Sequence, residues 1–235
     1  MIERLILDDP APEAARRIAA HADTGGHIAL TGGSTPQAAY AQAAAMDVDW
    51  RGCTLWFGDE RCVPPDDERS NYGHARASLL DRLPAGQAPV VHRIEGELGP
   101  HEGAAAYEAE LGRAFDGALP VFDLLLLGLG SDAHCASLFP GDPALHETER
   151  RAVGVERPGL APFVPRVTLT LPVLNAAREI LFLVAGEDKA AAVAQAFGPE
   201  PDPGVPAALV VPVSGKLTLL ADPAAARLLA VESRR

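Results

Sequence analysis

Phe122-Asp123-Leu124-Leu125-Leu126-Leu127 is a nearly continuous apolar run, and Gly128-Leu129-Gly130-Ser131-Asp132-Ala133-His134 follows it directly. Such a short apolar run is typical of a parallel strand that is buried on both faces, so we expect it to lie in the centre of a sheet. The polar segment after it would then leave the sheet at the carboxyl end of that strand. Ligands bind at this end of open α/β sheets, so the segment is a candidate site.

Outward from this run, short apolar segments alternate with alanine-rich helical segments. Strands are predicted at 28–31, 53–57, 90–94, 122–127, 166–170, 180–184, 209–213 and 216–220, and helices at 36–45, 71–83, 101–115, 187–197 and 223–230. The alternation predicts a doubly wound, mostly parallel α/β sheet with helices on both faces. Since no repeat or linker divides the chain, we expect a single domain over residues 1–235.

Composition and charge exclude several classes of protein. The 235 residues include 20 Lys and Arg against 32 Asp and Glu, which gives a formal net charge of −12. Nucleic-acid binding needs clustered cations, so no nucleic-acid partner is expected. No apolar stretch approaches the roughly 18 residues of a membrane span, so no membrane association is expected. The three cysteines form no C-x-x-C pair, which favours a reducing, cytoplasmic location, whereas protein partners are not predictable from these patterns.

Three loops that follow predicted strands carry candidate site residues, and the first reads Thr31-Gly32-Gly33-Ser34-Thr35-Pro36. Its glycines let the backbone approach a ligand, Ser34 or Thr35 can cap the next helix, and free N–H groups at a helix N-terminus attract anions. The loop is therefore either a phosphate-binding turn or only a well-capped βα turn. It is not a P-loop, because it lacks Gly-Lys-Ser/Thr.

The second loop reads Gly58-Asp59-Glu60-Arg61, with Ser70-Asn71-Tyr72 shortly after it. The planar guanidinium of Arg61 suits a phosphate or a carbonyl oxygen, and Asp59 or Glu60 could orient it or a water. A structural ion pair explains the same charges equally well.

The third loop carries Asp132 and His134 after the predicted central strand. A histidine in this position, with a carboxylate two residues before it, suits general-base catalysis near neutral pH. The glycines also match the pattern of a dinucleotide-binding loop, but Pro140-Gly141 interrupts the long helix that such a loop requires. The His and Cys spacings do not form a metal-binding pattern, so we expect neither a metal nor another cofactor.

Together the three loops resemble, in order and spacing, those of the 6-phosphogluconolactonases of the glucosamine/galactosamine-6-phosphate isomerase superfamily. The resemblance extends through Arg166-Val167-Thr168-Leu169-Thr170 and Gly186-Glu187-Asp188-Lys189, and so covers nearly the whole chain. It implies a sugar-phosphate isomerase type of α/β fold. It also implies metal-independent hydrolysis of 6-phospho-D-glucono-1,5-lactone to 6-phospho-D-gluconate, a step of the oxidative pentose phosphate pathway.

The resemblance also implies roles for the matching residues. His134 would take a proton from the attacking water and return it to the ring oxygen, and Asp132 would orient His134. Arg61 would bind the substrate or stabilise the oxyanion. Residues 32–35, with Arg166 and Lys189, would hold the phosphate. The full set of expected substrate-binding residues is Gly32, Gly33, Ser34, Thr35, Asp59, Asn71, Gly130, Arg166 and Lys189.

Two alternatives are compatible with the same loops. An amino-sugar-phosphate deaminase/isomerase shares the Asp-x-His loop but needs a carboxylate soon after the histidine, and no acid follows His134 before Asp142. A non-catalytic sugar-phosphate-binding protein is the second alternative, because Ala133 stands where the family usually has glycine. If that position requires a positive φ, alanine costs about 1 kcal/mol there.

Overall fold

Strands and helices alternate along residues 2–229, the part of the chain that the computed structural model describes. The strands are β1 (Ile2–Ile6), β2 (His27–Leu30), β3 (Thr54–Phe57), β4 (Asp59–Arg61), β5 (Val90–Val91), β6 (Leu124–Leu127), β7 (Ala152–Val155), β8 (Arg166–Leu169), β9 (Glu179–Val184) and β10 (Lys216–Ala221). The helices are α1 (Ala11–Asp23), α2 (Ser34–Ala44), α3 (Asn71–Ser78), α4 (Gly99–Ala114), α5 (Leu171–Ala176), α6 (Ala190–Phe197) and α7 (Pro223–Ala226).

Seven of these strands form a parallel sheet in the order β1-β10-β9-β6-β2-β3-β5, flanked by helices. This confirms the predicted α/β class. The four leucines of β6 are fully buried, and β6 lies between β2 and β9 as the central strand that the apolar run predicted. Burying one leucine side chain stabilises a fold by about 2 kcal/mol, so this strand anchors the core of the sheet.

The strand order reverses between β2 and β6. After β2 the chain adds β3 and β5 outward on one side, and after β6 it adds β9 and β10 on the other. Crossover helices on either side of such a switch point lie on opposite faces, which leaves a crevice at the carboxyl ends of the two strands. The loops that begin at Thr31 and Gly128 therefore start side by side.

A second, three-stranded sheet in the order β4-β8-β7 stands beside this crevice. It corrects one prediction: residues 166–170 were expected to form a strand of the parallel sheet, but β8 is antiparallel to both β4 and β7 and ends at Leu169. Only Gly58 separates β3 from β4; its N–H donates to Leu30 O and its carbonyl accepts from Leu169 N. One glycine thus carries the chain from one sheet into the other, which the apolar pattern does not reveal.

The predicted strand at 209–213 is also wrong. Pro206–Leu209 forms a single 3₁₀ turn, and Asn175 holds the residues after it. The Asn175 side chain donates to Leu209 O and accepts from Val211 N, and its carbonyl accepts from Val213 N. These bonds use backbone groups that a strand partner would need.

Other boundaries differ by a few residues. The helix predicted at 71–83 ends at Ser78, before a 3₁₀ turn at Leu80–Arg82, and the strand predicted at 90–94 is only two residues long. The helix predicted at 187–197 begins with a 3₁₀ turn at Glu187–Lys189, and α7 is shorter than the predicted 223–230. Residue 230 lies outside the described residues.

Candidate active site

A cavity of about 240 Å³ opens at the switch point. Residues of all three predicted loops line it, together with side chains from the second sheet and from the start of α6. Of the twelve predicted site residues, the lining contains Gly32, Gly33, Asp59, Arg61, Asn71, Gly130, His134, Arg166 and Lys189. Asp132, Ser34 and Thr35 lie outside it, and Asp132 reaches it through His134.

His134 and Asp132 form a hydrogen-bonded pair at the end of β6. His134 Nδ1 is 2.5 Å from Asp132 Oδ1, and the imidazole ring packs on Phe139 with 4.4 Å between ring centroids. Since a carboxylate only accepts hydrogen bonds, the neutral form of this imidazole has its proton on Nδ1 and its lone pair on Nε2. Burial tends to raise the pKa of Asp132, but the hydrogen bonds from His134 outweigh it, so this pKa lies below its ordinary value. This is the geometry that a general base and its orienting carboxylate require.

Gly130 makes this arrangement possible. A Cβ atom at Gly130 would overlap both the His134 ring and the Asp132 carboxylate. The turn is closed by Gly130 N donating to His134 O at 2.9 Å and by Ala133 N donating to Gly130 O at 3.0 Å. Ala133 has a φ of +60° and Ala136 a φ of +49°, so the positive φ considered for position 133 is present.

Two arginines from neighbouring strands meet at the cavity. Arg61 on β4 is paired in register with Arg166 on β8. Like charges directly opposite each other destabilise a sheet unless an anion compensates them. Arg61 donates from Nη1 to Arg69 O at 2.7 Å, and Arg166 donates from Nε to Val164 O and from Nη2 to Pro162 O at 3.0 and 2.8 Å. Backbone carbonyls therefore fix both guanidinium groups.

Lys189 completes the cationic lining. It occupies the N-cap position of α6 without a side-chain capping bond, and its Nζ lies 3.4 Å from Asp188 Oδ2. Burial lowers the pKa of Arg166, an effect that nearby Asp59 partly offsets. Three cationic side chains thus share one cavity of an acidic protein, which suits an anionic ligand.

The two acidic residues before Arg61 have different surroundings. Glu60 is buried and accepts hydrogen bonds of 2.7 Å from the backbone N–H groups of Arg61, Asn71 and Tyr72. Burial raises the pKa of Glu60, although these bonds act against it. Asp59 lines the cavity, and Asn71 Nδ2 donates to its carbonyl and its Oδ1 at 2.9 and 3.1 Å. Glu60 thus holds the backbone of this loop, whereas the Asp59 carboxylate is the one that lines the cavity.

The glycine-containing loop of residues 31–36 lies beside the cavity and leads into α2. Gly33, with a φ of +114°, is the N-cap of α2, so Ser34 and Thr35 lie in the first turn and neither caps the helix, contrary to the prediction. Their backbone N–H groups have no partner within the helix. The buried Tyr40 hydroxyl accepts from Thr31 N and donates to Thr31 O at 2.9 and 2.8 Å. The sequence pattern gave no indication of this brace.

Residues 2–229 contain neither a cluster of metal-binding side chains nor a membrane-spanning helix. No group of three or more His, Cys, Asp or Glu side chains in this range is arranged to hold a metal ion. No helix in the same range is long and apolar enough to cross a membrane.

A hydrogen-bonded Asp–His pair and three cationic side chains around one cavity are typical of an enzyme that acts on a small anionic molecule. The family model described as "Glucosamine-6-phosphate isomerases/6-phosphogluconolactonase" matches residues 8–219. The 6-phosphogluconolactonase of Homo sapiens is 48% identical over 179 residues, which cover 76% of this chain and 69% of the human one. That of Bos taurus is 42% identical over 213 residues, with coverage of 87% and 81%.

A solved structure, that of 6-phosphogluconolactonase from Trypanosoma cruzi, matches with a TM-score of 0.84 at 28% identity, covering 97% of this chain and 96% of that one. The chain therefore belongs to the family of glucosamine-6-phosphate isomerases and 6-phosphogluconolactonases. Within the family, the relatives compared above are 6-phosphogluconolactonases, and the chain is a lactone-hydrolysing enzyme, as the resemblance of the loops implied.

Proposed function

We propose that the protein hydrolyses 6-phospho-D-glucono-1,5-lactone to 6-phospho-D-gluconate without a metal ion, with His134 as general base. The observation that carries the proposal is the Asp132–His134 pair at a cavity that Arg61, Arg166 and Lys189 also line. The base suits hydrolysis of an ester bond, and the cations suit a phosphorylated substrate. The names of the relatives support the choice of lactone.

In the first step, His134 Nε2 accepts a proton from a water molecule while the water oxygen attacks the lactone carbonyl carbon. Asp132 holds the imidazole in the tautomer that this step needs and stabilises the imidazolium that forms. The carbonyl oxygen becomes an oxyanion, which Arg61 stabilises from the cavity wall.

In the second step, the tetrahedral intermediate collapses and the bond between the carbonyl carbon and the ring oxygen breaks. The imidazolium returns its proton to the ring oxygen, which becomes a hydroxyl group. The new carboxylic acid then ionises in water. Since a lactone is already electrophilic, positioning and one base are sufficient for catalysis.

The phosphate lies at the other end of the substrate, among residues 32–35, Arg166 and Lys189. The free N–H groups of the first turn of α2 attract an anion, and the helix dipole adds to this attraction. Arg166 is held by two backbone carbonyls and would lose little side-chain entropy on binding.

This reaction belongs to the oxidative branch of the pentose phosphate pathway, and we place the enzyme in the cytoplasm with a small phosphorylated lactone as its substrate. In support of that location, Cys53, Cys62 and Cys135 are free thiols, as expected in a reducing compartment.

To test this proposal, 6-phosphogluconolactone is generated in situ and the formation of 6-phosphogluconate is followed. The rate with protein is compared with the uncatalysed rate, and the protein is first treated with a chelator to remove any metal ion. We expect His134→Ala to lower kcat by about 10²- to 10⁴-fold. His101→Ala is the matched control, because His101 is exposed and pairs with Glu156 away from the cavity. Full activity of His134→Ala would remove this base from the mechanism, and loss of wild-type activity in chelator would contradict metal independence. Binding of 6-phosphogluconate without any acceleration would favour the non-catalytic alternative.

A further inference from the structure

Ser137 links the loop of the catalytic histidine to the second sheet. It lies three residues after His134 and is fully buried. Its hydroxyl donates to Asp59 Oδ2 at 2.6 Å, and its backbone N–H donates to Thr168 Oγ1 at 3.1 Å. Asp59 and Thr168 face each other in register on β4 and β8, so Ser137 contacts both members of one residue pair.

The carboxylate that Ser137 holds is close to one of the cavity's cations. Asp59 Oδ2 lies 4.0 Å from Arg166 Nη1, which is too far for a hydrogen bond. The other two nitrogens of that guanidinium donate to backbone carbonyls. Nη1 makes no hydrogen bond to residues 2–229, so both of its N–H groups can bind a ligand as long as Asp59 stays at this distance.

We propose that Ser137 is a positioning residue that keeps Arg166 available to the substrate's phosphate. Its hydroxyl donates a hydrogen bond to Asp59 Oδ2, while Asn71 Nδ2 donates one to Asp59 Oδ1. Without the hydroxyl, Oδ2 becomes a buried carboxylate oxygen that has lost its donor, and the nearest charged donor is Arg166 Nη1. The carboxylate then pairs with the arginine and competes with the phosphate. This inference rests on the proposed function for the identity of the ligand.

The first experiment compares Ser137→Ala with Ser78→Ala. Ser78 is also buried, but its hydroxyl donates to His74 O within its own helix, so it serves as the matched control. We expect Ser137→Ala to raise the Kd of 6-phosphogluconate and of inorganic phosphate about tenfold, measured by calorimetry. KM should rise similarly with kcat within about threefold, since alanine keeps the backbone bond to Thr168 that anchors the histidine loop. A loss confined to kcat would overturn the proposal.

The second experiment is a double-mutant cycle with Asp59→Asn. If Ser137 acts by restraining the charge of Asp59, then Ser137→Ala should change the Kd of phosphate less than about twofold in the Asp59→Asn background. The same tenfold loss in both backgrounds would show that the hydroxyl acts some other way and would overturn the proposal. Should Ser137→Ala fail to fold, Ser137→Cys keeps the side-chain shape with a weaker donor, and an intermediate Kd is expected.

The binding measurements also separate this inference from the proposed function. If the wild type binds 6-phosphogluconate but hydrolyses no lactone, and the cycle still gives the expected coupling, the positioning role stands and the lactonase proposal fails. If hydrolysis is normal and Ser137→Ala leaves both Kd and KM unchanged, the lactonase proposal stands and the positioning role fails.

Discussion

Buried charged side chains are paired with opposite charges at the amino end of the parallel sheet, whereas at its carboxyl end two like charges lie opposite each other. At the amino end, Glu179 accepts from Arg17 at 2.7 Å, from Lys216 at 2.9 Å and from His21 at 3.2 Å. At the carboxyl end, Arg61 Nε is buried and has no hydrogen-bond partner among residues 2–229, and like-charged Arg166 lies opposite Arg61. The amino end is electrostatically complete and stabilises the fold. The cations at the carboxyl end are only partly compensated, an arrangement that favours the binding of an anion.

The low pKa of Glu179 is a consequence of the ion pairs at the amino end. Burial alone raises the pKa of a carboxyl group, but hydrogen bonds from His21, Lys216 and Arg17 reverse the effect and lower the pKa of Glu179 to about 2. At this end, the charged form is therefore the stable one. Substitutions at the two ends should separate catalysis from stability.

The largest effect is expected at the carboxyl end, from Asp132→Asn. An amide cannot hold Nδ1–H and stabilise the imidazolium as a carboxylate does, so kcat should fall on the order of 10²- to 10⁴-fold. The free energy of unfolding should change by less than about 1 kcal/mol, because Asp132 is partly exposed. Steady-state kinetics and urea unfolding check both statements. A variant that is unstable but fully active per folded molecule would contradict the assignment.

The opposite outcome is expected from Glu179→Gln. Arg17, His21 and Lys216 would lose their shared carboxylate, and removal of one partner from a buried ion-pair network costs about 3 kcal/mol. kcat and KM should stay within about twofold, since the network lies at the other end of the strands. Glu156→Gln is the control, because Glu156 pairs with His101 in an exposed position and should change stability by less than about 0.5 kcal/mol. Loss of activity without loss of stability would break the comparison.

The parts of the fold that the sequence predicted correctly rest on local patterns. The leucines of β6 identified the central strand, and the three loops after strands identified most of the cavity's lining. A local pattern also existed for α1 (Ala11–Asp23), where Ala14, Ala15, Ile18 and Ala22 are buried at helical spacing, although neither α1 nor β1 was predicted. The spacing of these apolar residues is therefore sufficient to predict α1.

The parts that could not be predicted depend on contacts between distant residues. The hydrogen bond from Ser137 to Asp59 joins residues 78 positions apart. The opposition of Arg61 and Arg166 depends on the antiparallel register of β4 and β8, which no periodicity in either segment specifies. Sequence patterns indicate which residues reach an end of the sheet, whereas the pairing of charges there is set by the tertiary fold.

A smaller effect is expected from pH acting on the amino end. The folded-state pKa of Glu179 is about 2 and its ordinary value is 4.5, so its stabilisation is complete above pH 4.5 and is lost as the pH falls toward 2. From about pH 6 to about pH 3, this group alone should remove about 2 kcal/mol of unfolding free energy. Urea unfolding of the wild type and Glu179→Gln across this range measures it. The stability difference between them should shrink on acidification, and a constant difference would show that the carboxylate is not charge-paired in solution.

The smallest effect concerns strain at the carboxyl end, tested with Ala133→Gly. Glycine relieves about 1 kcal/mol of left-handed strain at a φ of +60°. It also removes a fully buried methyl group, which costs about 0.8 kcal/mol, and adds about 0.5 kcal/mol of unfolded-state entropy. The net change in unfolding free energy should therefore be below about 1 kcal/mol. Ala133 is held on both sides, by its N–H to Gly130 O and by Ala207 N to its own carbonyl, so kcat should change less than about threefold.

Ala136→Gly sharpens this test, because Ala136 has a φ of +49° but is not fully buried. Glycine at position 136 should relieve the same backbone strain but remove less buried apolar surface. Ala136→Gly should therefore be at least as stable as Ala133→Gly in urea unfolding. A rise in kcat of tenfold or more for Ala133→Gly alone would show that alanine displaces the Asp132–His134 turn. Near-equal kcat values for the two variants and the wild type would show that the hydrogen bonds of the turn, and not a glycine at position 133, set the geometry of the base.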